Sequence, residues 1–142
     1  MALITGIHHV NIIVPRDTLD AAHAFYENIL GFVSIPVPEL QRGTLAWFNV
    51  TDTQQVHVAF GRDFDFSGDA TTSSRHPCFK VASPDALLTL QRKIWDFYQK
   101  AGSGAPRACD QPGAESSGAK GVEYPSRFFV RDYAGNRLEF SL

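Results

Sequence analysis

The chain has 142 residues, of which 44% are hydrophobic, and its formal net charge is −2. This composition is typical of one compact globular domain, and the small net charge gives no reason to expect a nucleic acid or an anionic membrane as partner. Two cysteines are too few for a disulfide framework, and neither a signal peptide nor an apolar run of membrane-spanning length is apparent. We therefore expect a reduced cytoplasmic protein.

The first half of the chain predicts the element order β-α-β-β-β. Residues 7–14 alternate in polarity and are rich in β-branched side chains, which favours a strand. A helix is expected next, capped by Asp17 or Thr18, running to about Leu30 and closed by Gly31. Three further strands are predicted at about 32–37, 45–50 and 55–60.

The second half predicts the same order after a linker over residues 61–75 that is rich in Gly, Ser, Thr and Asp. Residues 76–82 are strand-like, and Ser83 caps a helix with Pro84 in its first position. Further strands are predicted near 107–109, at 127–131 and at 137–141. The segment 102–126, which contains the short strand near 107–109, is otherwise expected to be loop. Loops of this length are usually functional lids or disordered.

His9 opens a strand in the first half, and His76 opens the matching strand in the second half. This match indicates an internal repeat of one supersecondary unit. Strand side chains alternate between two faces, and the apolar faces should pack against the two helices. The polar faces would then line a concave surface. Four residues with metal-binding side chains fall on these polar faces, namely His9, His57, His76 and Glu139. Alignment of the two halves pairs His9 with His76 and His57 with Glu139.

Three imidazoles and a carboxylate are good ligands for a first-row divalent ion such as Fe, Mn, Zn, Ni or Co. Two histidines with one carboxylate leave coordination positions open for substrate or water, as catalytic metals require. Each residue also has a structural alternative. The histidines could be hydrogen-bonded structural residues, and Glu139 could pair with Arg137 or Lys80. Residues predicted to contact substrate are Asn11, Lys80, Tyr124 and Arg127.

Three segments resemble the vicinal oxygen chelate superfamily, which includes glyoxalase I, extradiol dioxygenases, fosfomycin-resistance enzymes, methylmalonyl-CoA epimerase and bleomycin-binding proteins. The segments are Gly6-Ile-His-His-Val10, Phe25-Tyr-Glu-Asn-Ile-Leu-Gly-Phe32 and Phe129-Val-Arg-Asp-Tyr-Ala-Gly-Asn-Arg-Leu-Glu-Phe140. The resemblance covers nearly the whole chain. It implies an α+β fold in which residues 1–142 form one domain. Two βαβββ modules, 4–60 and 76–142, would form a curved mixed sheet with helices on its outer face.

The resemblance also implies the chemistry of the site. His9, His76 and Glu139 match the metal ligands of the superfamily, whereas His57 stands where the glyoxalase I group has a glutamate. His57 would be a fourth ligand or a general base. The implied function is a divalent-metal-dependent enzyme acting on a small substrate through vicinal oxygens, with extradiol-type dioxygenases as the favoured subclass. The alternatives are a glyoxalase- or epimerase-like lyase or isomerase, and a metal-free binding protein. A homodimer is expected, and the site could use one chain or two.

Overall fold

The structure, a computed structural model, describes residues 2–68, 72–120 and 126–142. Within these ranges the chain forms two four-stranded mixed sheets and two main helical segments, which confirms the predicted α+β class. The strands are β1 His9–Val14, β2 Val33–Ile35, β3 Leu45–Asn49, β4 Gln55–Phe60, β5 Cys78–Lys80, β6 Ala108–Cys109, β7 Arg127–Arg131 and β8 Arg137–Ser141. We call β1–β4 with their helix the first module and β5–β8 with theirs the second module.

The two sheets have the same topology. Their strand orders are β1-β4-β3-β2 and β5-β8-β7-β6, and in each the first strand runs parallel to the last while the other pairs are antiparallel. The register pairs Asn11 with His57 and Cys78 with Glu139. His9 and His76 each lie two residues before the first member of these pairs. The repeat is therefore structural, and it relates His57 to Glu139 as the sequence predicted.

The helix of the first module begins as α1, Leu19–Ala22, and continues as a π-helical segment, His23–Ile29. The wider turn is visible where the Leu30 N–H donates to the Phe25 carbonyl, five residues back. Gly31 follows with a φ of 80°, which suits a glycine at a helix end. Thr18 precedes the helix as predicted, but its hydroxyl donates to the Pro15 carbonyl and does not cap the helix.

The helix of the second module, α2 Pro84–Lys100, begins and ends as regular capping predicts. The Ser83 hydroxyl accepts a hydrogen bond from the Ala86 N–H, and Pro84 occupies the first turn. Ala101 ends the helix in a left-handed conformation with a φ of 52°. No helix in the described part of the chain is both long and apolar enough to cross a membrane.

Strand β5 is shorter than the predicted 76–82, since it spans only Cys78–Lys80. Pro77 precedes it and has no N–H to give to the sheet, so regular pairing with β8 starts at Cys78. The Pro77 carbonyl still accepts a hydrogen bond from the Glu139 N–H. This contact keeps the chain before β5 beside β8, and His76 is thereby held near Glu139.

One hydrophobic core joins the two modules. The apolar faces of both sheets and both helices contribute to it, with Phe25, Phe48, Ile94, Phe128 and Phe140 among its fully or almost fully buried side chains. Burial of these large side chains supplies the main favourable free energy of folding. Because the core lies on the helix side of the sheets, the opposite, more polar faces remain available for a site.

The turn between β7 and β8 fastens the second module to the first. Tyr26 donates through its hydroxyl to the fully buried Asp132 carboxylate at 2.6 Å. The Asn136 side-chain amide donates to the Ile13 carbonyl at 2.8 Å, and the Tyr133 hydroxyl donates to a backbone carbonyl of the β1–α1 connection. The Asp-Tyr-Ala-Gly-Asn turn, part of the quoted terminal motif, therefore has a structural role between the modules.

Candidate functional site

Three aromatic rings form a stack on the polar face of the first module. His57 lies between Trp47 and His9, with ring centroids 4.4 Å and 4.1 Å away and nearly parallel planes. His57 Nε2 is 2.8 Å from the Gln55 side-chain oxygen, and His9 Nδ1 is 3.1 Å from His8 Nδ1. We call Trp47, His57 and His9 the histidine stack. It brings together two of the four predicted ligands.

The electrostatic surroundings of the histidine stack favour a neutral His57. Partial burial lowers the pKa of His57, and the neighbouring His9 and His8 lower it further. A neutral imidazole has a free nitrogen lone pair, which is the form that binds a metal ion or accepts a proton. The stack therefore keeps His57 in the state that either predicted role requires.

A second pair of predicted ligands meets in the second module. His76 Nε2 is 2.9 Å from Glu139 Oε2, while His76 Nδ1 is 2.6 Å from the Ser74 carbonyl oxygen. A carbonyl only accepts hydrogen bonds, so Nδ1 carries a proton and donates to Ser74. Nε2 and the Glu139 carboxylate then face each other with lone pairs, and this contact requires either a proton or a cation between them.

Glu139 is 8% exposed and its second oxygen is held from the other side. Arg127 donates through Nη1 to Glu139 Oε1 at 3.2 Å. The same guanidinium donates to the Ala119 carbonyl and lies 5.0 Å from the Phe129 ring centroid. Glu139 thus pairs with His76 and Arg127. Arg127 was predicted to contact substrate, and in the structure it also fixes the orientation of a candidate ligand.

The other predicted substrate-contact residues lie around these two groups. Asn11 is exposed and is the register partner of His57, and Lys80 is exposed at the end of β5. Tyr124 lies outside the described residues. Cys78, next to Glu139, keeps a protonated thiol because burial, and secondarily the Glu139 charge, raise its pKa. A protonated thiol is a poor nucleophile, which agrees with a role in the wall of the site.

The single chain does not bring the predicted triad together. Among the described residues, no group of three or more His, Cys, Asp or Glu side chains is arranged to hold an ion. His9 lies with His57, and His76 lies with Glu139, as two separate pairs. The starts of β1 and β5 line a common cleft of about 170 Å³ that includes His9 and Cys78.

The sequence analysis identified His9 and His57 but not the histidine stack that they form with Trp47. Trp47 is the register partner of His57 in the antiparallel pair β3–β4. The alternation of β3, in which Ala46 and Phe48 are buried and Trp47 is only partly buried, is the signal that could have identified it. The contact of Ser74 with His76 had no such signal, because it arises from an irregular segment before β5.

No protein-family model matches the chain, and the comparison with curated proteins finds no match. Solved structures do match over nearly the full length. A protein assigned to the glyoxalase family from Bacillus anthracis has 26% identity and a TM-score of 0.67, with 99% of this chain and 96% of that chain covered. A lactoylglutathione lyase from Agrobacterium tumefaciens has 18% identity and a TM-score of 0.60, with 99% and 95% covered.

A fosfomycin resistance protein from Listeria monocytogenes, solved with Mn(II) and 1S,2S-dihydroxypropylphosphonic acid, has 14% identity and a TM-score of 0.65. The match covers 98% of this chain and 90% of that chain. These neighbours belong to the vicinal oxygen chelate superfamily, and the resemblance found in the sequence is therefore confirmed. The chain has the fold of that superfamily. Likeness at 14% or 18% identity establishes the fold and leaves the reaction open.

Proposed function

We propose that the chain is a divalent-metal-dependent enzyme that acts on a small substrate through two neighbouring oxygen atoms of that substrate. In this proposal, His76 and Glu139 of one chain and His9 and His57 of a second copy hold the ion. The observation that carries the proposal is the 2.9 Å contact between His76 Nε2 and Glu139 Oε2, in a pair whose outer atoms are held by the Ser74 carbonyl and by Arg127.

The donor chemistry of this pair fits a divalent ion. Nitrogen and oxygen ligands of a zinc-like ion lie about 2.0–2.2 Å from it, so two ligand atoms in adjacent positions are separated by roughly 3 Å. Ser74 holds the other nitrogen of His76 and Arg127 holds the other oxygen of Glu139. Such outer contacts fix the tautomer and orientation of metal ligands in proteins. The pair is preorganised in this sense.

Exposed apolar residues before β1 support a site completed by a second copy. Leu3, Ile4 and Ile7 are 98%, 84% and 72% exposed, and they lead directly to His9. A cluster of large exposed apolar side chains is typical of an interaction surface. We assign this surface to a homodimer in which the histidine stack of each chain faces the His76–Glu139 pair of its partner.

Different residues of the chain would have different roles in the reaction. A bound divalent ion would polarise the substrate oxygens and stabilise negative charge that develops on them. His57, held neutral and stacked against Trp47, would accept a proton from the substrate as general base or complete the ligand set. Arg127 would keep the Glu139 carboxylate oriented, and Asn11 and Lys80 are proposed to contact the substrate.

Two reaction subclasses fit this site. The set of two histidines and one carboxylate, His9, His76 and Glu139, is the ligand type of non-haem Fe(II) oxygenases, which favours an extradiol-type dioxygenase. A neutral His57 beside the ligands favours instead a lyase or isomerase that abstracts a proton. The first requires iron and consumes dioxygen with a catechol, whereas the second works with Mn, Zn, Ni or Co and consumes none.

Metal binding is the first test. The purified protein is reconstituted with Fe(II), Mn(II), Zn(II), Ni(II) and Co(II) in turn, and bound metal is measured by plasma mass spectrometry. We expect about one ion per chain for the wild type, and at least roughly a 100-fold loss of affinity in Glu139→Gln, since even outer contacts of metal ligands contribute 10- to 100-fold. Oxygen uptake with catechols then separates the two subclasses.

A second histidine–glutamate pair provides a matched control. His23 Nδ1 lies 2.8 Å from Glu27 Oε2 on the helix of the first module, outside the proposed site. Glu27→Gln should therefore leave metal binding unchanged. If the wild type binds no ion stoichiometrically, or if Glu139→Gln binds as well as Glu27→Gln does, the proposed metal enzyme is wrong.

Mixing of two defective variants tests whether a site uses two chains. His9→Ala damages only the histidine stack, and Glu139→Gln damages only the opposite pair. If each site combines the first module of one chain with the second module of its partner, random heterodimers restore about a quarter of the wild-type sites. If each site lies within one chain, mixing by refolding restores none, and the two-chain site is refuted.

A further inference from the structure

Three arginines line one cleft at the junction of the two modules. The cleft has a volume of about 480 Å³, and Arg75, Arg131 and Arg137 contribute to its wall with Asn136 and Ser73. The wall also includes Ile13 of β1, and therefore both modules form it. Such a concentration of guanidinium groups in a cleft requires an explanation, because like charges repel each other.

Arg131 and Arg137 are direct register partners on the polar face of β7 and β8. Like charges opposite each other across strands are unfavourable. Burial lowers the pKa of Arg131, and the charge of Arg137 lowers it further. The Arg131 side chain is nevertheless fixed, because it donates to the carbonyls of Gly135, Thr72 and Ser73. This anchoring holds one positive charge at a defined place in the wall.

Arg137 is held differently, and within the described ranges its guanidinium donates no hydrogen bond. Its guanidinium carbon lies 4.2 Å from the Phe129 ring centroid. Among the described residues, no carboxylate forms a salt bridge with Arg75, Arg131 or Arg137. Asp65 also lines the cleft, where one of its oxygens accepts the Arg62 N–H at 2.8 Å. The wall of the cleft therefore carries three positive side chains and one negative side chain, and its net charge is positive.

We infer that this cleft is an oxyanion-binding subsite, which takes a phosphate or carboxylate group through Arg137, Arg75 and Arg131. Guanidinium groups match both anions because they can donate two parallel hydrogen bonds to them. The flat Phe129 ring beneath Arg137 holds the guanidinium in place, and the Asn136 and Ser73 side chains add neutral polar groups to the wall.

The subsite lies close to the proposed metal ligands. The Phe129 ring centroid lies 4.2 Å from the Arg137 guanidinium carbon and 5.5 Å from the His76 ring centroid. The distance between the Arg137 guanidinium carbon and the His76 ring centroid therefore cannot exceed the sum of these two distances. A single small substrate can span this separation. The substrate would therefore carry an anionic group at the end away from its vicinal oxygens. This use of the subsite rests on the proposed function, whereas binding of an oxyanion does not.

Calorimetric titration with inorganic phosphate, and separately with acetate, tests the subsite at low ionic strength. Arg137→Gln and Arg75→Gln each remove one of the three charges, and Arg92→Gln on the exposed side of α2 is the matched control. We expect wild type and Arg92→Gln to bind phosphate equally, and Arg137→Gln and Arg75→Gln to bind it at least roughly tenfold more weakly, since hydrogen bonds to charged groups are strong. Circular dichroism verifies that each variant is folded.

The outcomes separate this inference from the proposed function. Glu139→Gln should lose metal but keep phosphate affinity, because Glu139 is not part of the cleft. Equal phosphate affinity in wild type, Arg137→Gln and Arg75→Gln would overturn the subsite, as would absence of binding by the wild type. Loss of metal binding in Arg137→Gln would also count against it, because the arginine would then act on the metal site and not on a separate anion.

Discussion

The hydrogen bonds around Asp132 provide a quantitative test of how the two modules are joined. The carboxylate is fully buried and accepts from the Tyr26 hydroxyl at 2.6 Å, the Ala134 N–H at 2.9 Å, the Asn136 N–H at 2.8 Å and the Asn136 side chain at 3.0 Å. Asp132→Ala removes the common acceptor of all four bonds. The Tyr26 hydroxyl would then be buried without its partner, because Tyr26 is itself 0% exposed.

The expected loss of stability follows from these contacts. A buried donor without a partner costs about 1–3 kcal/mol, and the two turn N–H groups lose their acceptor as well. Part of the loss is offset, because the variant no longer buries a carboxyl group. We therefore expect Asp132→Ala to lower the free energy of unfolding by about 3–5 kcal/mol, since several donors at about 1–3 kcal/mol each lose their acceptor and the offset recovers part of the loss. With a urea m value of about 2 kcal/mol per M, the midpoint falls by roughly 1.5–2.5 M.

Urea unfolding followed by circular dichroism and tryptophan fluorescence measures this change. Asp52→Ala is the matched control, since Asp52 is exposed in the corresponding turn between β3 and β4 of the first module. That variant should change stability by less than about 0.5 kcal/mol. If Asp132→Ala shifts the midpoint no more than Asp52→Ala does, the turn does not join the modules in the way described.

The pH dependence of the same network has a defined sign. Burial raises the pKa of Asp132 above its unfolded value, although hydrogen bonds from Tyr26, Asn136 and Ala134 oppose the shift. A raised carboxyl pKa means that the folded state holds the proton more tightly, so stability from this group is present in acid and declines as pH rises above the unfolded value. The stability advantage of wild type over Asp132→Asn should therefore shrink from acid to neutral pH, and an advantage that grows would contradict the assigned shift.

Two further substitutions test backbone conformation by the same urea assay. Ala101→Gly should stabilise the protein by about 0.5–1 kcal/mol, because Ala101 ends α2 with a φ of 52° that glycine adopts without strain. Gly104→Ala should destabilise it by more than about 1 kcal/mol, since Gly104 has a φ of 80° and an added Cβ would lie 2.7 Å from the Ala21 carbonyl oxygen. Stability changes of the opposite sign would show that these conformations are not those of the folded protein in solution.

Strands with regular alternation were predictable from the sequence, and irregular elements were not. Residues 55–60 and 137–141 form strands with the predicted bounds, because an apolar side chain recurs at every second position in them. Residues 127–131 also form the predicted strand, although their three central residues are all apolar. The π-helical segment His23–Ile29 was not predictable, since its apolar positions are also compatible with a regular α-helix. The late start of β5 has a sequence signal in Pro77, because a proline within the predicted run 76–82 has no N–H for pairing with β8.

The faces of the strands were predictable, but the distances between side chains on them were not. Alternation assigns a residue to one side of a sheet and gives no information about which long side chain reaches it. From the sequence, a partner for Glu139 could therefore be chosen only by its positive charge, and the candidates were Arg137 and Lys80. The structure selects Arg127, which lies across the β7–β8 hairpin and is held by the Ala119 carbonyl.

The difference between the modules also determines how two copies should meet. The histidine stack contributes the imidazoles of His9 and His57, whereas the second module contributes the Glu139 carboxylate beside Arg127. If the second modules of two chains met, two Glu139–Arg127 pairs would lie together. The four imidazoles of the two first modules, His9 and His57 in each, would then have no carboxylate beside them. Contact between unlike modules gives two identical sites, each with three imidazoles and one carboxylate, and is compatible with twofold symmetry. In the proposed dimer we therefore expect His57, the residue that breaks the repeat, to lie opposite Glu139, its structural equivalent.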